Sequence, residues 1–148
     1  MARYVATMKS SFSAPAAFSY LADVANFADW DPSITRVSTV TDGEPHLGAA
    51  YDIDVRTGPR TTTMRYETTE FTPPRRLVIR AETPLLLSVD EVRVEPDGTA
   101  SVVTYDAQLT LKGAARVLDP LLAFVFRRIG DRAAAGLRRE LGAQSVAA

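Results

Sequence analysis

The 148-residue chain contains no cysteine, which excludes disulfides, thiolate metal sites and a cysteine nucleophile together. Histidine occurs once, at His46, so a histidine-rich metal site and a multi-histidine mechanism are excluded too. Neither sign of charge dominates, since 17 basic and 18 acidic side chains leave a formal net charge of −1. No global field therefore recommends nucleic acid or an anionic membrane as partner. No apolar run approaches the roughly 18 residues that span a bilayer as a helix. Met1 to Ala25 carries Arg3 and Lys9 but no unbroken apolar stretch, and is not expected to act as a signal peptide. What is present is an ordinary hydrophobic share of 46%, sufficient for a core. The expectation is one soluble, cytoplasmic domain over residues 1–148, a monomer or homodimer, with neither nucleic-acid binding nor integral membrane association.

The order of elements is the informative feature. Arg3 to Ser11 reads as a strand. Ser13 then suits a helix N-cap, with Pro15 in the first turn where its missing N–H costs nothing. Phe18, Leu21 and Val24 recur at helical spacing, and Asp23 and Asn26 predict a break before a second short helix carrying Phe27 and Trp30. Asp31-Pro32 stops it.

From Ile34 the apolar period becomes two. Ile34 to Val40, Ala49 to Thr57 and Thr61 to Phe71 read as strands, the last two joined through Gly58-Pro59. If Arg56 closes that hairpin opposite Thr61, Tyr51 faces Tyr66, Ile53 faces Met64 and Val55 faces Thr62 on one side of the sheet. Asp52 opposite Arg65 and Asp54 opposite Thr63 then form the other side. After Thr72-Pro73-Pro74, Leu77, Ile79 and Ala81 continue an apolar face. Leu85 to Glu95 and Thr99 to Leu111 form a further hairpin around Pro96-Asp97-Gly98, with Val103, Tyr105, Ala107 and Leu109 on one side. A three-residue loop there turns Leu85, Leu87 and Val89 inward, with Glu91 and Arg93 beside them; a two-residue loop turns Ser88 and Asp90 inward instead. Both registers are compatible with the sequence.

Asp119-Pro120 reads as the start of a long helix, after a separate turn from Gly113. Leu118, Leu122, Val125, Phe126, Ile129, Ala133, Leu137 and Leu141 fall on one side of it. Arg127, Arg128, Asp131, Arg132, Arg138 and Arg139 fall on the other. A curved sheet gripping one such helix tends to leave a cavity between them.

Ser13-Ala14-Pro15 through Tyr20-Leu21-Ala22-Asp23, then Asn26 and Trp30-Asp31-Pro32, resembles the opening of the START-like superfamily. The closer similarity is to its bacterial polyketide cyclase/dehydrase and lipid-transport branch, often called SRPBCC. Glu70 to Leu77 resembles that branch's mid-sheet corner, and Gly98-Thr99, Leu111-Lys112-Gly113 and Leu118-Asp119-Pro120 resemble its last strand and helix entry. The resemblance spans nearly the whole chain. It implies an α+β helix-grip (Bet v 1-like) fold: a seven-stranded antiparallel sheet wrapped around the C-terminal helix, with two short helices after the first strand. It also implies a hydrophobic small-molecule ligand, such as a lipid or polyketide, and neither cofactor nor metal. Because this superfamily's motifs hold the scaffold, its chemistry varies from member to member.

Eight residues are candidates for contact with that ligand. Trp30 is one, since the resemblance puts a Trp near the cavity's end; the alternative is an aromatic anchor between the short helices and the sheet. Tyr51, Tyr66 and Tyr105 either pack in the core or offer hydroxyls that orient a ligand. Met64, Leu122, Phe126 and Ile129 either line a pocket or fill it. Asp90, Glu91 and Arg93 carry the only catalytic possibility: a carboxylate turned inward beside Tyr105 would have its pKa raised by burial and could serve as acid or base. His46 is expected in an exposed turn, without a role. The helix arginines read as a solvated face. Phe124, which falls among them, either packs on the Gly113 to Val117 segment or marks a contact with another chain. Three functions follow: binding or transport of a hydrophobic or amphipathic small molecule; a polyketide cyclase, aromatase or dehydratase using Tyr66, Tyr105 and an inward carboxylate; or a protein-interaction module with a filled core.

Overall fold

The structure, a computed structural model, describes residues 1–142 and the backbone of 144–145. Strand β1 (Ala2–Ser10) leads into α1 (Ala14–Ala22), a 3₁₀ turn at Val24–Asn26 and α2 (Phe27–Trp30). Strands β2 (Ile34–Thr39), β3 (Ala50–Thr57), β4 (Arg60–Thr72), β5 (Arg76–Glu82), β6 (Leu86–Asp97) and β7 (Ala100–Leu111) follow. A second 3₁₀ segment, Gly113–Leu118, then runs into α3 (Asp119–Glu140), and a two-residue strand β8 (Gln144–Ser145) ends the described chain. The sheet order is β2-β3-β4-β5-β6-β7-β1-β8, with every pairing antiparallel. Its seven long strands, with α3 against them, form the expected helix-grip architecture, and the two-residue strand is an addition at one edge.

Local chemistry explains the boundaries. The Ser13 hydroxyl accepts from the Ala16 N–H at 3.3 Å and caps α1. The Asp23 carboxylate accepts from the Ala25 N–H at 3.2 Å and restarts the chain as the 3₁₀ turn. The β3–β4 register is the expected one, with Tyr51 opposite Tyr66, Ile53 opposite Met64 and Val55 opposite Thr62. On the outer side Arg65 meets Asp52 through two hydrogen bonds of 2.9 and 3.0 Å. Register shifts between Ile34 and Arg36 in β2 and between Thr68 and Glu70 in β4 add curvature to the sheet.

The β6–β7 hairpin settles the register left open by the sequence. The ladder runs to Asp97 opposite Ala100, so Gly98-Thr99 is a two-residue loop and not the three-residue one. Gly98 takes φ +62°, the positive value that short hairpin loops demand and that a glycine adopts without a Cβ penalty. Ser88, Asp90, Val92 and Val94 consequently share the inner face with Leu109, Ala107, Tyr105 and Val103. Glu91 and Arg93 are on the outer face, where Glu91 accepts from Arg76 at 2.7 Å and from Arg93.

Helix α3 packs through small residues. A Cβ added at Gly130 would collide with the Tyr4 ring, and one at Gly136 with the backbone carbonyl of Trp30. Gly130, Ala133, Ala134, Gly136 and Leu137 are buried, as is Leu141 just beyond the helix. The predicted apolar stripe is therefore sealed only in its second half. Leu118 is exposed, and Leu122, Val125, Phe126 and Ile129 are only half-buried. Phe126 and Ile129 face a cavity between the helix and the sheet. Among the described residues no helix is long and apolar enough to cross a membrane.

Candidate functional site

A cavity of about 190 Å³ lies between the sheet and α3. One ordered water needs roughly 10–15 Å³ by the same kind of measure, so the core is not filled. Its walls are mostly apolar: Phe27 from α2, Ile53 and Val55 from β3, Met64 from β4, Leu86 from β6, Ala107 and Leu109 from β7, and Phe126, Ile129 and Ala133 from α3. A small set of polar groups breaks that surface, namely Asp31, Ser33, Ser88, Asp90, Tyr66 and Tyr105, with Tyr4 from β1, Thr57 from β3 and Thr62 from β4. An apolar cleft with a few convergent polar groups is the usual form of a small-molecule site.

Five of the eight candidate residues meet at this cavity: Met64, Tyr66, Tyr105, Phe126 and Ile129. Trp30 lies behind its wall. The indole is 1% exposed, 4.8 Å from the Phe27 ring and 5.2 Å edge-on from the Tyr105 ring, so it takes the anchoring place. Tyr51 is buried and lines a different crevice, shared with Phe18 and Phe71 near Asp23. Leu122 is half-buried outside the cavity wall. His46 is exposed, its Nδ1 2.7 Å from the Glu44 carbonyl.

Asp90 is the chemically distinctive member. The two-residue loop at Gly98-Thr99 turns its side chain inward, and the surface it retains is cavity surface. Burial is the main cause that lifts its pKa from 3.8 to about 7; the nearby Asp31 charge adds to this, while the Tyr105 hydroxyl, donating to the carboxylate, opposes it. Tyr105 is in turn held well above its ordinary value, first by burial and then by the Asp90 and Asp31 charges. Tyr66 is raised too, mainly by burial, and its hydroxyl is 2.8 Å from the Ser88 Oγ, close enough to hydrogen-bond. Among the described residues the cavity wall contains no Lys, Arg or His to neutralise either carboxylate. At neutral pH Asp90 can therefore give or take a proton. Glu91, the other carboxylate considered, is on the outer face in ion pairs with Arg76 and Arg93 and has no access to the cavity.

Asp31, Ser33, Ser88 and Tyr4 were not among the candidates. Asp31 looked like a helix terminator, yet its Oδ1 accepts from the Ser33 N–H at 2.9 Å and the Ser33 hydroxyl at 2.7 Å. That is an Asx-type turn, and the Asp-Pro-Ser order was its sequence signal. Burial raises the Asp31 pKa, and the Ser33 bonds lower it by less. Tyr4 is in phase with Ala6 and Met8 on β1, and its hydroxyl donates to Asp131 of α3 at 2.9 Å. Among the described residues no cluster of three His, Cys, Asp or Glu side chains could hold a metal ion.

Solved structures share this architecture. The Zhui aromatase/cyclase from Streptomyces sp. R1128 superimposes with a TM-score of 0.78 at 18% identity, covering 95% of this chain and 93% of its own. A START superfamily protein from Mycobacterium smegmatis gives 0.76 at 14% identity, covering 95% and 97%. TTHA0849 from Thermus thermophilus gives 0.76 at 10% identity, covering 94% and 96%. At these identities the likeness establishes the fold alone. No protein with a curated description matches the chain. The family described as polyketide cyclase/dehydrase and lipid transport matches residues 1–142. The chain belongs to the polyketide cyclase/dehydrase and lipid-transport family.

Proposed function

We propose that this protein binds a small hydrophobic or amphipathic molecule in the cavity between sheet and α3. The observation that carries the reading is the cavity itself: about 190 Å³, apolar in most of its wall, with its oxygen-bearing groups on a few residues. Binding would draw on apolar burial at roughly 25 cal/mol per Å². Tyr66, Tyr105 and Ser88 would orient a carbonyl or hydroxyl of the ligand. Pockets for drug-sized ligands run from about 300 Å³ upward, so the volume favours a compact ring compound or a short chain over a two-chain lipid. Met64, Phe126 and Ile129 supply the adaptable apolar contact. Mass spectrometry of an organic extract of the purified protein, beside a buffer control, tests this. A stoichiometric compound of that size supports it, and a stoichiometric two-chain lipid would contradict it.

A second reading is favoured by Asp90. A carboxyl poised near neutral pH, beside Tyr105 in a mostly apolar cavity, suits general acid–base work on a carbonyl-bearing substrate. This would be cyclase, aromatase or dehydratase chemistry on a polyketide-like compound, and the Zhui structure is called an aromatase/cyclase. Under this reading Asp90→Asn abolishes turnover while leaving ligand affinity. Equal turnover in the variant would contradict it.

A further inference from the structure

Several arginines on the outer face of the sheet are paired: Arg3 with Asp106, Arg65 with Asp52, Arg76 with Glu70 and Glu91, and Arg80 with Glu82. Arg56, Arg128 and Arg132 are among the arginines outside that set, and what distinguishes them is their position. All three are exposed, and none forms an ion pair among the described residues. They come from separate parts of the chain, Arg56 from the end of β3 and the other two from α3, yet they line one groove. Among the described residues no acidic one lines that groove with them.

The groove adjoins the cavity: Ser33, Thr57 and Ile129 belong to the walls of both. Charge differs between the two: carboxylates at Asp31 and Asp90 in the cavity wall, guanidinium groups along the groove. An anionic group would be repelled from the interior, where no lining cation offsets those carboxylates, and attracted to the groove. Arg128 is also positioned, with its guanidinium 6.0 Å from the centre of the Phe124 ring. A guanidinium's planar fork of donors matches a carboxylate, sulfonate or phosphate ester.

We infer that the ligand of this cavity carries an anionic group at one end, which Arg56, Arg128 and Arg132 hold in the groove while its uncharged body enters the cavity. The inference rests on the reading of the cavity as a ligand site and adds both the class of ligand and its direction of entry. A free inorganic anion lacks the body that reaches Met64 and Phe126, and would bind far more weakly.

Two dyes of nearly the same aromatic skeleton test this: 1-anilinonaphthalene-8-sulfonate, which is anionic, and N-phenyl-1-naphthylamine, which is neutral. Their dissociation constants are measured by fluorescence for the wild type and for a variant carrying Arg56→Gln, Arg128→Gln and Arg132→Gln. Glutamine keeps the exposed positions polar, and unchanged circular dichroism and urea midpoint verify the fold. The wild type is expected to bind the sulfonate about tenfold tighter than the neutral dye at low salt, and the variant to lose most of that preference while keeping its affinity for the neutral dye. Inorganic phosphate, matched in ionic strength with chloride, should displace the sulfonate no better than chloride does. Equal affinity for both dyes in the wild type, or a preference that survives in the variant, overturns the inference but leaves the cavity reading standing. Saturable binding of neither dye overturns both. Displacement by phosphate alone assigns the arginines to a free anion and overturns it. If the variant instead loses association with anionic phospholipid vesicles while its dye preference is unchanged, the arginines serve a lipid surface and the inference is wrong.

Discussion

Asp90→Asn should change the pH dependence of stability more than any other single substitution in the cavity. In the folded chain the Asp90 carboxyl is held at about 7, against 3.8 when it is free in water. The folded value is the higher one, so between about pH 4 and pH 7 the folded protein keeps a proton that the unfolded chain has released. Stability therefore falls as pH rises through this window; the penalty is absent below pH 4 and complete above pH 7. At 1.36 kcal/mol for each pH unit of separation, the full penalty is about 4 kcal/mol, of which about 2.5 kcal/mol develops between pH 5 and pH 8. Asparagine has nearly the same shape and can still accept from the Tyr105 hydroxyl, but it does not ionise. Asp31 titrates in the same direction, since burial raises it too, so the informative quantity is the difference between the two proteins. Urea unfolding followed through Trp30, the single tryptophan, at pH 5, 6, 7 and 8 measures that difference. The variant should gain on the wild type by about 2.5 kcal/mol between pH 5 and pH 8. Parallel stability curves would refute the reasoning. They would mean that Asp90 ionises as it does in water, and its fitness as an acid–base group at neutral pH would fall with it.

Other substitutions probe the scaffold around the cavity. Gly136→Ala drives a methyl group into the Trp30 carbonyl, a backbone atom that cannot rotate away. It should cost about 3 kcal/mol in urea unfolding, the upper end for overpacking, and a loss below 0.5 kcal/mol would show that α3 does not seat on α2 this closely. Ser88→Ala leaves the buried Tyr66 hydroxyl without its partner at 2.8 Å. The expected loss is about 1–2 kcal/mol, and Tyr66→Phe combined with it should recover part of that loss. Failure of the double variant to recover any would indicate that Tyr66 and Ser88 do not depend on each other.

How much of this was legible in the sequence depended on how one-sided each element is. In β3 and β4 the apolar residues fall cleanly on alternate positions, so one register buries Tyr51, Ile53, Met64 and Tyr66 and any slip exposes them. Strand β6 has no such asymmetry. Leu87 and Val89 on one face compete with Val92 and Val94 on the other, and both sets are apolar enough to be core. The decision lay in the conformation of Gly98, a single positive φ that moved the turn by one residue and brought Asp90 inward. Helix α3 was readable as amphipathic, but periodicity is blind to distance. It could not show that Leu118 has no wall to pack on, or that Phe126 and Ile129 face a cavity. Tyr51 is inward as its alternation implies, and Trp30 takes the anchoring alternative, yet both are buried positions that do not line the cavity. Asp31 was hidden by its position, because an Asp before Pro at a helix end has an ordinary local explanation.

The claim on which the account rests is that the cavity takes a ligand, and a substitution in its wall tests it most directly. Ala107 is 5% exposed and lines the cavity from β7, so Ala107→Leu adds three carbons to that space. Titration of both proteins with N-phenyl-1-naphthylamine should give one saturable site in the wild type and an affinity lower by about tenfold in the variant, equivalent to the 1.4 kcal/mol of a lost good fit. The variant's urea midpoint should be unchanged or higher, because the added carbons occupy empty space. Equal affinity in the two proteins would place the dye elsewhere and contradict the account.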